Sequence, residues 1–288
     1  MLNERLHMRD QKESTCGAYT AVQVLRARGF IKHSGRSVDE DYVAKVARVN
    51  VSSRDLEERA ILLEVRKAGK RLSDEMVERL RVTTYRYPLP VESDSVRVGC
   101  SPEGVKYAIE KISGGKLCAI PIIMRDGAKG MSLPRFRALT AELADKTQEW
   151  DFNLILNLRC SRLLDATRPG LVARRFLAGP APGDARRTLS WQVGHFVNVG
   201  GLVTAKYLGG RTDTYFLILD SYKELGVEGI HIQPVDYVWR ALRRGDGREG
   251  GLLIALSDAK RDSAVTLLRR LGCEISLWNN GSPFSASE

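Results

Sequence analysis

The amino-acid sequence predicts an α+β fold in which a helical first part precedes an antiparallel sheet. Apolar residues recur at helical spacing through the first third of the chain, after Thr15 and over residues 38–49 and 54–82. The second half carries short runs rich in β-branched and aromatic residues, at 194–199, 202–207, 215–220 and 229–233. Because these strands follow one another with few helices between them, the order favours α+β over a doubly wound parallel sheet.

The first helix has the clearest boundaries. Ser14 and Thr15 are candidates for its N-cap, and Gly29 supplies a C-terminal stop. Between them, apolar residues at helical spacing would face a core. Ser101 and Pro102 open a second helix that runs to about residue 112, because proline is favoured in a first helical turn.

The remaining elements are predicted from apolar periodicity and from the positions of glycine and proline. Further strands are predicted at 117–124, 152–159 and 252–256, and a last one begins at Cys273. Further helices are predicted near residues 134–146, 235–244 and 259–271. Glycine and proline mark a loop over residues 179–183, Gly209 and Gly210 mark a turn, and residues 281–288 are expected to fray.

The chain has 288 residues and a net charge of +10, which raises the question of a polyanionic partner. The excess is spread along the chain, and basic residues do not alternate with aromatic ones, so we do not expect a nucleic-acid partner. One segment, between Arg159 and Arg187, holds seven arginines against Asp165 and Asp184. It is either a solvated loop face or a surface for an anionic ligand or an acidic peptide segment.

Metal and membrane functions are not expected. The five cysteines form no Cys-x-x-Cys pair and the four histidines have no metal-ligand spacing, so we predict no metal and no cofactor. The N-terminus carries charges where a signal peptide needs an apolar core, and the apolar runs are too short to span a bilayer. Unpaired thiols then predict a cytoplasmic protein.

Cys16 is the candidate nucleophile. It falls in the first turn of the first helix, where unpaired backbone N–H groups and the positive end of the helix dipole favour a thiolate. Gln11, five residues earlier, could fold back and donate to an oxyanion together with the N–H of Cys16. Taken singly, each residue also has an ordinary structural interpretation, as a packed cysteine and a surface glutamine.

His195 and Asp220 are the candidate base and orienting acid. His195 follows Gly194 at the start of an apolar strand, and Asp220 ends the next strand. The 25 residues between them suit a hairpin that would bring both side chains together. His231 also lies on a strand, but no glycine precedes it and no strand-ending acid follows, so it is not assigned to the site.

Together these residues resemble the papain-like cysteine peptidases, and most closely the branch of bacteriocin-leader (double-glycine) peptidases and their stand-alone relatives. The resemblance covers about residues 8–30, 100–123 and 190–256. It rests on Gln11, Cys16, Gly17, the Gly-His-Phe-Val run at 194–197, Leu219, Asp220 and Tyr222. It implies Cys16 as nucleophile, His195 as base, Asp220 as its orienting acid and Gln11 as oxyanion donor. The spacing from Gln11 to Cys16 is one residue shorter than in papain.

The resemblance also implies a single papain-like domain over residues 1–288, with insertions at about 30–98 and 125–190. A helical side would carry Cys16 and an antiparallel sheet would carry His195 and Asp220. The residues expected to contact substrate are Gly17, Gly194, Trp191 and Tyr222.

Three functions are compatible with this pattern. The first is a cysteine hydrolase of peptide or other amide bonds, acting on a peptide or protein that carries an acidic segment. The second is an acyltransferase, such as a transglutaminase-like enzyme, that uses the same triad. The third is a non-catalytic binding module in which the arginines between Arg159 and Arg187 hold an acidic partner.

Overall fold

A computed structural model describes residues 11–127, 130–179, 188–207 and 212–284. It mixes helices with a sheet of antiparallel strands, which confirms the predicted α+β class. Contacts within the chain separate two compact units. Among the described residues, the helical unit comprises residues 11–113 and 281–284, and the sheet unit comprises residues 114–280.

The helical unit is built around its first helix. Its helices are α1 (Cys16–Ala27), α2 (Glu40–Ala47), α3 (Ser53–Lys67), α4 (Asp74–Val82) and α5 (Pro102–Ile112). Its strands are short, and they are β1 (Lys32–His33), β2 (Arg36–Ser37), β3 (Val51–Ser52) and β4 (Val91–Glu92). The nine consecutive residues 17–25 of α1 are all buried, so α1 is surrounded on all sides, and α2 and α5 both pack against it.

Local signals explain where these helices begin and where one prediction is wrong. Asp39, Ser73 and Ser101 each cap a helix by accepting a hydrogen bond from a backbone N–H in its first turn. The single helix predicted over 54–82 is instead two helices, α3 and α4. The chain turns between them at Gly69, which has a left-handed backbone with φ of 72°.

The sheet unit contains one six-stranded antiparallel sheet with the strand order β5-β10-β6-β7-β8-β9. Its strands are β5 (Leu117–Met124), β6 (Asn153–Arg159), β7 (Gly194–Lys206), β8 (Thr212–Leu219), β9 (Ile230–Pro234) and β10 (Gly250–Ser257). Its helices are α6 (Leu133–Trp150), α7 (Pro169–Ala178), α8 (Val235–Leu242) and α9 (Arg261–Arg270).

The core of this unit lies between the sheet and the helices α6, α8 and α9. Phe136 of α6 stacks on Phe216 of β8, with ring centroids 5.9 Å apart and planes inclined by 6°. Both side chains are buried, and each such burial stabilises the fold by roughly 1.5–3 kcal/mol. This packing joins α6 to the sheet through β8.

Two strand predictions in this unit are wrong. The two strands expected at 194–199 and 202–207 form one strand, β7, with a bulge between Val199 and Gly201. The last strand, expected to begin at Cys273, is not formed by the described residues that follow β10.

The segment after Cys273 nevertheless touches the outer edge of β5. The carbonyl of Glu274 accepts a single hydrogen bond from the N–H of Ile123, at 3.2 Å. A regular ladder is blocked along this edge because Pro121 of β5 has no N–H to donate.

The arginine-rich segment between Arg159 and Arg187 also differs from expectation, because it contains the helix α7. The predicted loop over 179–183 and the fraying end at 281–288 lie in part outside the described residues, and the turn at Gly209 and Gly210 lies wholly outside them. Within the described part of the chain, no helix is both long enough and apolar enough to cross a bilayer.

Candidate functional site

His195 and Asp220 form a buried pair at one end of the sheet. His195 is the second residue of β7, and Asp220 follows the last residue of β8. Because β7 and β8 are antiparallel neighbours, the start of one lies beside the end of the other. His195 Nε2 and Asp220 Oδ1 are 3.0 Å apart, and the side chains are 2% and 1% exposed. The structure thus brings these two sequence-predicted residues into hydrogen-bond contact.

The Asp220 carboxylate has further donors around it. The backbone N–H of Tyr222 donates to Oδ1 at 3.0 Å. His231 Nε2 lies 3.6 Å from Oδ2, just beyond hydrogen-bond length. Burial alone would raise the pKa of the Asp220 carboxyl, but the hydrogen-bonded His195 and the neighbouring His231 outweigh burial and hold this pKa well below its usual range.

His231 is therefore a member of the site that the sequence analysis set aside. Register explains its place. His231 of β9 pairs with Ile218 of β8, and residues two apart on a strand share a face, so Asp220 continues the face on which His231 lies. Gln233, two residues further along β9, contacts His231 Nδ1 through its Nε2 at 3.2 Å. The antiparallel pairing of β8 with β9 is the signal that would have predicted His231, and with it Gln233, on the Asp220 side of the sheet.

Two aromatic rings cover His195. The centroids of Trp191 and Tyr222 lie 5.5 Å and 5.4 Å from that of His195, and 4.8 Å from each other in an edge-to-face arrangement. Both aromatic side chains are partly exposed. Two of the four residues predicted to contact substrate, Trp191 and Tyr222, thus lie directly against the candidate base, and their rings form a largely apolar surface beside it.

Gly194 has a structural reason to be glycine. A Cβ built on it would lie 2.3 Å from Nη1 of Arg244, whose guanidinium packs over the backbone at that point. Arg244 is fully buried and pairs with Asp246, at 3.1 Å through Nε and 2.9 Å through Nη2. Gly194 was expected to contact substrate; in the structure the side chain of Arg244 lies against it.

A buried amide holds the backbone of His195. Asn157 of β6 donates through Nδ2 to the carbonyl of His195 at 3.4 Å, and accepts at Oδ1 from the indole N–H of Trp278 at 2.9 Å. Sequence reasoning missed both residues. A polar asparagine inside the apolar strand β6 was the available signal, since buried polar side chains need partners.

Cys16 is the first residue of α1, in the helical unit. All five cysteines lie in the described residues, and Cys16 is the partly exposed one while the other four are buried. Thr15 is the N-cap residue, as predicted, but its side chain makes no capping bond. Its hydroxyl instead contacts the carbonyl of Lys12 at 2.7 Å and the carboxyl of Glu40. The first N–H groups of α1 therefore have no side-chain cap from Thr15.

The other predicted residues of the helical unit lie close to Cys16 in sequence. Gln11 is buried, and a Cβ on Gly17 would lie 2.7 Å from the Cβ of Cys100, so Gly17 is required for close packing there. Burial, together with the charge of Cys16, raises the pKa of the Cys100 thiol far above its usual range. Burial raises the pKa of the Cys273 thiol to about 11. Both are poor nucleophiles at neutral pH.

The described arginines of the segment between Arg159 and Arg187 do not form one continuous surface. Arg175 is buried and lies 3.4 Å from Asp236, while Arg159 contacts Gln192 at 3.2 Å on the exposed side. Arg168 pairs with Asp165 at 3.2 Å. Arg186 and Arg187 lie outside the described residues.

A family model described as a family of unknown function (DUF6885) matches residues 1–279 of the chain. No curated protein matches the sequence of the chain. Among the described residues, no group of three or more His, Cys, Asp or Glu side chains is arranged to hold a metal ion.

Proposed function

The chain belongs to the DUF6885 family, whose function is unknown, and from its own residues we propose that it is a thiol-dependent hydrolase of amide or peptide bonds. Cys16 is the nucleophile, His195 the general base and acid, Asp220 the residue that orients His195, and Gln11 an oxyanion donor. The papain-like arrangement implied by the sequence resemblance is part of this proposal.

The observation that carries the proposal is the buried contact between His195 Nε2 and Asp220 Oδ1. An ionised carboxylate can only accept a hydrogen bond, so Nε2 of His195 carries a proton. In the neutral imidazole the lone pair is then on Nδ1. A histidine held in this way accepts a proton at Nδ1, and the carboxylate stabilises the resulting cation.

The reaction proceeds by acyl transfer to the thiol. His195 Nδ1 takes the proton of the Cys16 thiol, and the sulfur attacks the carbonyl carbon of the substrate. The N–H of Cys16 and the amide of Gln11 donate to the oxyanion. His195 then returns the proton to the leaving amine as the C–N bond breaks. Water, deprotonated by His195, cleaves the thioester, releases the acid and restores the thiol.

The proposal requires that two groups from different units meet. Cys16 belongs to the helical unit and His195 to the sheet unit. During catalysis the sulfur and Nδ1 must come within hydrogen-bond reach. The proposed substrate is a peptide or protein, whose apolar side chains would contact Trp191 and Tyr222. An acidic segment of the substrate would contact exposed arginines such as Arg168, whose side chain is 72% exposed.

Alkylation with iodoacetamide at neutral pH tests the assignment. Cys16 should react on the order of 30-fold faster than a thiol that is only a few per cent ionised, and Cys100 and Cys273 should react more slowly than such a thiol. A His195→Gln variant should lose this advantage. His33→Gln, in which the replaced ring contacts Tyr42 in the helical unit, is the matched control and should keep it. Equal rates at Cys16 in the wild type and in His195→Gln would refute the proposal.

Product analysis separates hydrolysis from acyl transfer. A peptide library is incubated with the protein, with and without an added primary amine, and products are identified by mass spectrometry. The proposal expects free acids in both reactions and no product in a Cys16→Ala variant. Amides formed with the added amine, in place of acids, would instead identify an acyltransferase.

A further inference from the structure

The side-chain amide of Gln233 is held in a single orientation. Gln233 is fully buried on β9, and the backbone N–H of Leu164 donates to its Oε1 at 2.9 Å. Its Nε2 donates to the carbonyl of Leu164 at 2.9 Å. Because a backbone N–H can only donate and a carbonyl can only accept, the positions of oxygen and nitrogen cannot be exchanged.

This orientation determines the tautomer of His231. The nitrogen Nε2 of Gln233 also lies 3.2 Å from His231 Nδ1. An amide nitrogen is a donor, so Nδ1 of the neutral imidazole is the acceptor and its proton is on Nε2. That Nε2–H lies 3.6 Å from Oδ2 of Asp220, just beyond hydrogen-bond length, and neither atom has a hydrogen-bond partner among the described residues.

The two oxygens of Asp220 therefore face two imidazole N–H groups. Oδ1 accepts from Nε2 of His195 at 3.0 Å, and Oδ2 is next to Nε2 of His231. All three side chains are buried. A buried carboxylate oxygen that lost this neighbouring donor would favour protonation or rotation of the carboxyl group. Either change would alter the hydrogen bond that keeps the proton of His195 on Nε2.

We propose that His231 is a positioning residue, held by Gln233 as the Nε2–H tautomer, which fixes Asp220 and so keeps the proton of His195 on Nε2 and the lone pair on Nδ1. Its importance for catalysis rests on the proposed function, in which Nδ1 of His195 is the base. The tautomers themselves do not depend on that function.

Nuclear magnetic resonance of protein labelled with ¹⁵N in its histidines tests the proposal on the full chain. Long-range ¹H–¹⁵N correlation distinguishes Nε2–H from Nδ1–H tautomers at each ring, and single His→Gln variants assign the four rings. The wild type should show His195 and His231 both as Nε2–H. Finding His231 as the Nδ1–H tautomer would overturn the proposal.

Two variants then test whether His231 acts on His195. His231→Phe keeps an aromatic ring but has no donor, and His195 should change from the Nε2–H form to a mixture of tautomers. His231→Gln keeps an N–H donor of similar reach and should restore the Nε2–H form. An unchanged His195 signal in His231→Phe would show that His231 only fills space. If His231→Phe does not fold, two other signals test the proposal. It expects His231 as Nε2–H in the wild type and His195 as Nε2–H in His231→Gln, and a different tautomer in either case would contradict it.

Alkylation of Cys16 supplies the functional measurement. His231→Phe should slow it on the order of tenfold at neutral pH and alter its pH profile, whereas His231→Gln should leave both close to wild type. If Cys16 has no reactivity advantage in the wild type while both tautomers are as expected, the proposed hydrolase fails and the positioning role stands. If Cys16 is reactive but insensitive to His231→Phe, the positioning role fails alone.

Discussion

The two units contain ionic clusters that differ in composition and in burial. In the helical unit, Arg79 contacts three acids, Glu13, Asp55 and Glu58, at 2.8, 2.5 and 2.8 Å, and its side chain is 26% exposed. In the sheet unit, Asp220 is 1% exposed and faces two buried histidines. Water screens the first cluster far more than the second, so loss of a partner in the second should cost more stability.

The acids of the two units also differ in how the fold changes their proton affinity. Burial raises the pKa of Glu13 and of Glu40, and their donors offset only part of this rise. At Asp220, burial acts in the same direction, but the two histidines outweigh it and the pKa falls. A buried carboxyl group is thus stabilised as an anion only where the fold supplies enough N–H groups for it.

Removal of one acid from each cluster should give the largest contrast. Asp220→Ala leaves two buried imidazoles without their acceptor and should lower the free energy of unfolding by about 3–5 kcal/mol. Glu58→Ala in the exposed cluster should lower it by at most about 1 kcal/mol. Urea denaturation of both variants measures the difference. Equal losses would mean that burial does not separate the two clusters.

A glycine pair tests how tightly the sheet unit is packed near His195. Gly194→Ala places a Cβ against the Arg244 guanidinium and should lower the free energy of unfolding by about 1–3 kcal/mol. Gly201→Ala, on the same strand, meets no atom within 4 Å and should change it by less than about 0.5 kcal/mol. Thermal unfolding of the two variants provides the comparison. An unchanged free energy of unfolding in Gly194→Ala would show that Arg244 moves aside at little cost in stability.

The smallest expected effect is a difference in pH dependence. Because the folded pKa of Asp220 lies below its unfolded value of about 3.9, its contribution to stability is present above that value and lost as the pH falls further. Because the folded pKa of Glu40 is raised, its contribution is present below about pH 4.3 and lost as the pH rises through the folded value.

Unfolding measured from about pH 3 to about pH 8 separates these contributions, since the range spans both unfolded pKa values. In Asp220→Asn, the free energy of unfolding should fall less steeply as the pH is lowered below about 4. In Glu40→Gln, it should fall less steeply as the pH is raised towards neutral. The amide that Glu40→Gln introduces keeps an oxygen to accept from the N–H of Lys12 and the hydroxyl of Thr15. Changes of the same sign in both variants would contradict the contrast between the two units.

Much of the fold could be predicted because it depends on local patterns. The strand Leu117–Met124 and the helix Pro102–Ile112 lie where the sequence places them, since an apolar run and a Ser-Pro start are local signals. Prediction was wrong at glycines, because a glycine inside a periodic segment can either be tolerated or redirect the chain. The bulge between Val199 and Gly201 preserves one long strand where two were expected, and Gly69 divides one expected helix into two.

The candidate site shows the same division. Its chemical groups, Cys16 at a helix start and His195 and Asp220 at strand ends, were identifiable from residue type and context. The partners that orient them were not. His231 reaches Asp220 through the register of β8 and β9, Gln233 contacts His231 in turn, and Arg244 reaches Gly194 from another element.

Local patterns in the sequence were enough to predict the α+β class, the order of most elements and the candidate site residues. These depend on periodicity and on chemistry that each residue carries with it. Contacts formed in the folded chain set which cysteine is partly exposed, which nitrogen of His195 faces Asp220 and which second histidine lies beside that carboxylate. Burial and hydrogen-bond direction arise from contacts between residues distant in sequence, and no local pattern specifies them.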